Sequence, residues 1–342
     1  MTRTTTRTLG TIMARTQALV QPPLHEVVDG IHPALARICA YHFGWCDAKG
    51  KPVSGAQPGK MLRATVTLLA AEAAGGTPAR TAAVPGAVAI ELLHNFALLH
   101  DDVFDQDALR RGRPTVWAAF GTNSAVLAGD ALSAASIRTL AAVETDTGHR
   151  ALRMLLHGFV ELCNGCSNEL ISTDLTTVED YLRMSAAKSG ALLAAAAGIG
   201  AALGSGDNAL IAGLRSACLT ASLAWQAAND VEDIWGDSEI TGKHAFGDLR
   251  QGRLTLPVLA AVRSGTSAGE EAASLLNRMD NRSWEPERLA DLIESAGGRS
   301  FAEDIAREKL AAALHSLESI DMPARSRQEL GSVFRLIVTR AP

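Results

Sequence analysis

Apolar residues return at intervals of three and four along most of the chain, which is the spacing of helices with one buried face. Short β-branched alternations bounded by turns, the signature of strands, do not recur. The pattern predicts helices at about residues 60–74, 85–101, 122–145, 150–172, 178–203, 225–235 and 254–262, followed by two or three amphipathic helices. Gly75-Gly76-Thr77-Pro78 is a strong stop after the first of these helices.

Nothing in the sequence divides these helices into separate domains: there is no composition break, no linker and no internal repeat. The first residues are rich in Thr and Arg and carry no acidic side chain. We therefore predict one all-α domain over residues 19–342, preceded by a flexible polar tail at residues 1–18.

Composition narrows the class of protein. The 342 residues are 47% hydrophobic and only 4% aromatic, which suits close-packed helices, and a net charge of -5 argues against a nucleic-acid partner. No apolar run reaches the roughly 18 uncharged residues of a membrane span, and the amino terminus lacks the apolar core of a secretory signal. We expect a cytoplasmic protein with no transmembrane segment. Cys163 and Cys166 form a lone CxxC without the second pair of a structural zinc site.

The segment from His94 to Asp105 carries the first candidate chemistry. Asp101 and Asp105 are one helical turn apart on an otherwise apolar helix, so their carboxylates project from the same face. Mg²⁺ suits this arrangement because it takes oxygen ligands, commonly one or two carboxylates together with substrate phosphates. The basic loop Arg110-Arg111-Gly112-Arg113-Pro114-Thr115 follows at once and offers guanidinium groups for phosphate. The alternative is a solvated acidic helix end.

These two motifs resemble the trans-polyprenyl diphosphate synthase family, whose members carry DDxxD followed by RRGxPT. The wider pattern, including His94, is similar to actinobacterial short-chain members, and the likeness runs from about Gly59 to Pro257. It implies an isoprenoid-synthase-like helical bundle around a central apolar cavity, a homodimer, and three Mg²⁺ ions. It also implies isopentenyl diphosphate and an allylic prenyl diphosphate as substrates, with Asp101, Asp102 and Asp105 as catalytic residues.

A second acidic cluster begins at Asn229 and continues with Asp230, Asp233 and Asp237. Asn229, Asp233 and Asp237 recur every four residues, on one stripe of a helix. The resemblance implies metal ligands at Asn229, Asp230 and Asp233, but the family usually has aspartate where Asn229 stands. The pattern is also a little similar to the NDxxSxxxE motif of class I terpene cyclases. An exposed acidic helix end is again the alternative.

The resemblance also assigns residues to the two substrates. The isopentenyl diphosphate site would use Lys60, Arg63, His94 and Arg111, which are all present. The allylic diphosphate would be bound by Arg110, Lys188, Lys243 and Arg253, and Ser189 and Gln226 would place oxygens near the ionising carbon. A snorkelling surface lysine is the alternative for Lys188.

Product length is implied by Phe96 and Ala97, which in the family shape the floor of the product tunnel. One aromatic beside a small residue suggests geranylgeranyl diphosphate first and farnesyl diphosphate next, although Phe96 could equally be an ordinary core residue. Other departures are Cys166 and Glu169, where the family often has Gln and Asp. Two further functions therefore stay open: a terpene cyclase on the same fold, and a non-catalytic partner subunit of a prenyl synthase.

Overall fold

The structure, a computed structural model, describes residues 2–53, 59–170, 177–236, 246–277 and 286–339. Helices account for most of these residues, and the predicted all-α class is confirmed. In chain order the helices are α1 (Thr2–Asp29), α2 (Pro33–Phe43), α3 (Leu62–Ala82), α4 (Val84–Phe104), α5 (Val116–Phe120), α6 (Thr122–Ala141), α7 (Asp146–Leu170), α8 (Val178–Ser185), α9 (Ala191–Leu203), α10 (Asn208–Trp235), α11 (Gly247–Arg250), α12 (Leu256–Val262), α13 (Ser267–Leu276), α14 (Pro286–Ser295), α15 (Gly298–Ser319) and α16 (Ala324–Thr339). Two short strands, β1 (Leu109–Arg110) and β2 (Arg113–Pro114), form a hairpin, and a π turn (Ala186–Gly190) connects α8 to α9.

The chain folds into two compact units whose segments alternate along the sequence. Unit 1 comprises Met1–Val160, Leu192–Cys218 and Ser316–Val333, and unit 2 comprises Glu161–Ala191, Leu219–His315 and Phe334–Pro342. The single domain predicted over residues 19–342 stays a prediction.

The amino-terminal helix α1 corrects the predicted tail, because it begins at Thr2. Ile12, Val20, Leu24 and Val28 are all buried and lie four or eight residues apart, so they form one apolar stripe. Thr16 fills the remaining position of the stripe, and its hydroxyl accepts a hydrogen bond from Thr65 in α3. The stripe begins only at residue 12, after a start rich in Thr and Arg, and that start led to the prediction of a tail.

Close helix packing in unit 1 depends on small residues. Helix α4 packs against α3 and α6, while α9 lies against α3. A Cβ atom on Gly200 of α9 would come within 1.9 Å of the Thr67 carbonyl oxygen, so only glycine permits this approach. The Thr67 hydroxyl also donates to the Ala196 carbonyl, at 3.0 Å. At the predicted stop, Gly75 and Gly76 have non-helical backbone angles that interrupt α3.

Unit 2 has its own apolar core, which supports the residues of the second acidic cluster. One part packs Tyr181 and Met184 of α8 against Ala227, Leu256 and Leu259. The other part surrounds Ile234 near the end of α10, and its members come from α10 to α14: Leu249, Val258, Ala261, Ala272, Leu289 and Ile293. The carboxyl-terminal half of α10 is thereby held on two sides.

Residues 178–203 form one helical segment that is long and apolar enough to span a membrane, judged among the described residues. In its most apolar window 78% is buried inside the protein, as in the core helix of a folded domain. A pair of helices, α3 and α4, passes the same test together but bends by 86° between them.

Candidate active site

The carboxyl-terminal end of α4 presents the first acidic cluster. Asp101 and Asp105 are each partly exposed, and the Asp105 N–H donates to the Asp101 carbonyl as α4 ends. Carboxylates are disfavoured at this end of a helix, where the backbone dipole is negative, and no basic residue lies in the last turn of α4. Two acidic groups one turn apart at a negative helix end favour positive charge beside them, and the buried Arg63 acts on Asp101.

Asp102 has a different environment from its two acidic neighbours. Its side chain is buried, and Arg110 Nε donates to its Oδ1 at 2.7 Å. Oδ2 is also buried and has no hydrogen-bond partner. Burial raises the pKa of Asp102 to about 6, although the guanidinium of Arg110 acts in the opposite direction. Asp102, predicted as catalytic, therefore holds Arg110 in place.

The basic loop forms a tight hairpin. Arg110 pairs with Arg113 across the strands, which leaves Arg111 and Gly112 as a two-residue loop. Both loop residues have positive φ, 53° and 71°, as a type I′ turn requires. Two contacts fix the hairpin from α2 and the segment that follows it: Tyr41 Oη donates to the Pro114 carbonyl at 2.7 Å, and Arg113 Nη2 donates to the Cys46 carbonyl at 2.9 Å.

Three of the four residues predicted for isopentenyl diphosphate lie together in unit 1. Arg63 Nη1 is 3.1 Å from His94 Nε2, which accepts the hydrogen bond because a guanidinium can only donate. Gly59, next to the exposed Lys60, lies against the Arg111 guanidinium: a Cβ atom there would be 3.0 Å from Nη2. Burial and the positive charges of Arg63 and Arg111 hold the pKa of His94 well below its usual value, so the imidazole is neutral.

Glu91 is a buried carboxylate within this cationic cluster that the sequence interpretation missed. It accepts a hydrogen bond from the Ala64 backbone N–H at 3.0 Å and lies within electrostatic range of Arg63 and Arg111. Burial raises its pKa, and the two arginines oppose that change. Its signal in the sequence was a glutamate inside the apolar stripe of a helix, since acidic residues are almost never buried without partners.

His42 adds a second neutral imidazole beside the cluster, and it yields a prediction for pH dependence. Burial, together with Arg110 and Arg111, lowers the pKa of His42 to about 3, and its Nε2 lies 3.1 Å from Asn95 Oδ1. Between pH 6.5 and about pH 3 the unfolded chain binds a proton at this residue and the folded chain does not. The contribution of His42 to stability is therefore complete above pH 6.5 and is lost as the pH falls, by about 2 kcal/mol at pH 5.

The variant His42→Gln keeps a donor for Asn95 but does not titrate. Between pH 7 and pH 5 its free energy of unfolding should fall by about 1–2 kcal/mol less than that of the unmodified protein, measured by urea denaturation. Other titrating groups are common to both proteins and cancel in the difference. Equal pH dependence in the two proteins would contradict the assignment.

The two residues that are predicted to influence product length lie close to aromatic rings. Phe96 and Ala97 are both buried on α4. The Phe96 ring makes an edge contact with Phe159 of α7, with centroids 5.1 Å apart, and lies 4.6 Å from the His100 ring. These contacts fix the orientation of the Phe96 side chain.

In unit 2 the π turn carries Lys188 and Ser189. A π turn accommodates one extra residue, and such turns occur frequently at functional sites. The turn lies close to α7, because a Cβ atom on Gly165 would come within 2.3 Å of the Lys188 nitrogen. Lys188 forms an ion pair with Glu169 of α7, so it is held by a carboxylate rather than extended into solvent.

Gln226, Asp230 and Ser189 are connected by hydrogen bonds. Ser189 Oγ donates to Gln226 Oε1 at 2.8 Å, and Gln226 Nε2 donates to Asp230 Oδ1 at 2.9 Å. Asp230 Oδ2 accepts from Tyr181 Oη and from the Leu256 N–H. The Asp230 side chain is buried, and burial raises its pKa to about 7. Asp230, predicted as a metal ligand, is instead directed into the protein.

Two other described members of the second cluster, Asn229 and Asp233, are partly exposed. Asn229 and Asp233 lie one turn apart on α10, and Asp233 Oδ2 accepts from the Asp248 N–H at 2.8 Å. Arg253, predicted to bind the allylic diphosphate, forms an ion pair with Asp248 at 3.2 Å. Asp237 and Lys243 lie outside the described residues.

The donors present fit magnesium better than a transition metal. Each unit contributes two oxygen donors spaced one helical turn apart, Asp101 and Asp105 in one and Asn229 and Asp233 in the other. No group of three His, Cys, Asp or Glu side chains that could hold an ion occurs in the part of the chain that the structure describes. A small number of hard oxygen ligands from the protein suits Mg²⁺, because this ion keeps several waters and binds substrate phosphates.

Comparison with known proteins decides the family. Residues 53–296 match the model of the family described as "Polyprenyl synthetase". The chain belongs to the polyprenyl synthetase family. The predicted membership among trans-polyprenyl diphosphate synthases is therefore confirmed, as is the expectation of an enzyme of the prenyltransferase type.

Individual polyprenyl synthetases match almost the whole chain. A (2E,6E)-farnesyl diphosphate synthase of Mycobacterium bovis is 37% identical over 99% of this chain and 95% of its own length. A geranylgeranyl diphosphate synthase of Mycobacterium tuberculosis is 38% identical over 90% of this chain and 88% of its own. The crystal structure of a polyprenyl synthetase from Streptomyces coelicolor A3(2) superposes with a TM-score of 0.89 at 38% identity, covering 97% of this chain and 100% of that one.

Proposed function

We propose that this polyprenyl synthetase joins isopentenyl diphosphate to an allylic prenyl diphosphate and forms a short-chain trans-prenyl diphosphate, with Mg²⁺ as its cofactor. One observation carries the proposal: Arg63, His94 and Arg111 are gathered around the buried Glu91. A terpene cyclase acts on a single diphosphate and has no use for a second basic site of this kind.

The cationic cluster is suited to a diphosphate rather than to a neutral ligand. Two guanidinium groups adjoin a neutral imidazole; Glu91 acts on both, Asp101 acts on Arg63, and Asp102 acts on Arg111. A bound diphosphate would accept the N–H groups of both arginines, and charge-assisted hydrogen bonds of this kind are strong. His94 Nδ1 carries the proton, since Nε2 accepts from Arg63, so it offers one more donor.

The metal would be held by the partly exposed acidic groups. Asp101 and Asp105 would bind Mg²⁺ in unit 1, and Asn229 and Asp233 would bind Mg²⁺ in unit 2. Bound Mg²⁺ would stabilise negative charge on the diphosphate that leaves the allylic carbon.

The chain's own residues position the reactants. Asp102 orients Arg110, which would donate to the allylic diphosphate. In unit 2, Lys188 would do likewise, and the oxygens of Ser189 and Gln226 would present negative dipoles to the allylic carbon as its C–O bond breaks. The isopentenyl double bond attacks that carbon, and the departed diphosphate accepts the proton whose loss restores a double bond. No described side chain has to act as a strong base.

For the product, we propose geranylgeranyl diphosphate, with farnesyl diphosphate as the next candidate. The proposal rests on the pairing of a large aromatic side chain, the buried Phe96 in contact with Phe159, with the small Ala97 next to it. The relatives in Mycobacterium carry names of both product lengths.

We also propose a homodimer. Several large apolar side chains of unit 1 are exposed on α4, α6 and α7: Phe104, Val126, Leu127, Leu156 and Val160. His100 links two of these helices, since its Nε2 lies 3.2 Å from the Val126 carbonyl. A second copy would remove this apolar surface from water. Light scattering should give twice the mass of one chain; the mass of a single chain would contradict the dimer.

A product assay by mass spectrometry tests the function. The purified chain is incubated with farnesyl diphosphate and Mg²⁺, with and without isopentenyl diphosphate. A diphosphate longer by one C₅ unit is expected only when isopentenyl diphosphate is present. A hydrocarbon or alcohol formed without it would favour a cyclase, and no turnover by the purified chain would favour a non-catalytic partner subunit.

Asn229 provides a test of the second cluster. Asn229→Asp adds one negative charge beside Asp233 and restores the donor usual in the family, so kcat should be unchanged or rise by a few-fold, with a lower Mg²⁺ half-saturation. Asn164→Asp adds the same charge at an exposed position of α7 and should change neither quantity. A clear loss of kcat in Asn229→Asp alone would contradict the metal role.

A further inference from the structure

Asp230 is surrounded by donors from its own unit. Its Oδ1 accepts from Gln226 Nε2 at 2.9 Å, and its Oδ2 accepts from the Leu256 N–H at 3.0 Å and from Tyr181 Oη. The side chain is 1% exposed. A carboxylate buried in this way is stabilised by hydrogen bonds from the protein and presents no oxygen to a metal ion in solution.

Tyr181 is the least expected of these donors. It lies on α8, is 3% exposed, and packs in the apolar core of unit 2 with Met184 and Leu259. Burial and the neighbouring Asp230 carboxylate raise the pKa of its phenol well above the usual value, so the hydroxyl keeps its proton and donates. A tyrosine in such a core needs a partner for its hydroxyl, and that partner here is a carboxylate at the second acidic cluster.

These hydrogen bonds determine which end of the Gln226 amide faces which neighbour. When it is ionised, Asp230 can only accept from Gln226, so the NH₂ group points toward it and Oε1 points toward Ser189. Ser189 donates its one proton to Oε1 and keeps its oxygen lone pairs available. A reversed amide would direct N–H groups, the positive end of the dipole, toward Ser189.

We propose that Tyr181 and Asp230 are positioning residues that act through Gln226, fixing its carbonyl dipole toward the carbon that becomes positive during the reaction. The inference rests on the proposed function and deepens it. It assigns Asp230 a role other than the metal binding that the acidic motif suggests, and it assigns a role to Tyr181 that no motif indicates.

The first test is Tyr181→Phe, which removes one hydroxyl and keeps the ring in the core. A positioning role predicts that kcat falls by about tenfold, with the KM of each diphosphate and the Mg²⁺ half-saturation within twofold. An unchanged kcat would overturn the proposal.

A double-mutant cycle separates positioning from a purely structural role. Gln226→Leu removes the amide on which Tyr181 acts, so adding Tyr181→Phe to it should cause no further fall in kcat. Independent, multiplicative losses would overturn the proposal. Tyr41→Phe is the matched control, because it also deletes a buried tyrosine hydroxyl, the donor to Pro114, and its effect should multiply with that of Gln226→Leu.

Asp230→Asn tests the metal assignment. The positioning role predicts a lower kcat with a Mg²⁺ half-saturation within twofold of that of the unmodified enzyme, whereas Asp233→Asn should raise that half-saturation by tenfold or more. An equal increase in both variants would make Asp230 a ligand and overturn the proposal. Failure of the unmodified enzyme to elongate any allylic diphosphate would contradict the proposed function instead.

Discussion

Asp101→Ala should lower kcat by about three orders of magnitude at saturating substrate and Mg²⁺. The variant removes one of the two carboxylates at the negative end of α4, and metal stabilisation of a leaving group supplies several kcal/mol. Steady-state turnover measures this effect, and thermal unfolding checks that the variant remains folded.

Asp304→Ala serves as its control. Asp304 is a well-exposed carboxylate on α15 that pairs only at the surface, with Arg307 among its partners, so turnover should stay within twofold. Near-normal turnover in Asp101→Ala would remove the metal from the mechanism.

Arg111→Asn should raise the KM for isopentenyl diphosphate by about 10- to 100-fold and leave the allylic KM within twofold. The substitution deletes a guanidinium of the cationic cluster, and one charged hydrogen-bonding group contributes about 1.5–3 kcal/mol. Asn-Gly is the preferred sequence of a type I′ turn, and Arg111 already has a positive φ of 53°. The melting temperature should therefore be equal or slightly higher, which separates the loss of binding from a loss of fold.

Arg138→Asn is the comparison for this variant, because Arg138 is exposed on α6 and outside the cluster. Its KM values should match those of the unmodified enzyme. An isopentenyl KM that Arg111→Asn leaves unchanged would place the second diphosphate elsewhere.

The sequence was sufficient to predict the first acidic pair, which lies on one helix, and one contact between two helices. Asp101 and Asp105 share the end of α4 as their spacing predicts, and Arg63 and His94 meet across α3 and α4 as the resemblance implies. Spacing alone cannot tell that Asp102 turns toward Arg110, because that depends on the hairpin that brings Arg110 back to α4.

The second acidic cluster shows more clearly what spacing in the sequence cannot predict. Four acidic or amide groups in one motif look equivalent in the sequence, but Asp230 lies on the buried side of α10. Its partners come from α8 and from the start of α12, which are remote in sequence. The stripe of α1 was missed for a related reason: a threonine occupies one of its buried positions.

The π turn has a consequence for register. Tyr181 and Ser189 are eight residues apart, which in a regular α-helix places side chains about 80° apart around the axis. One extra residue absorbed in a wide turn makes them behave as if seven apart, about 20° from alignment. Tyr181 can then contact Asp230 while Ser189 contacts Gln226, and these two partners are themselves one turn apart on α10. Deleting one residue from 186–187 should therefore leave a regular α-helix that keeps both contacts, whereas a regular helix of the full length would lose one of them.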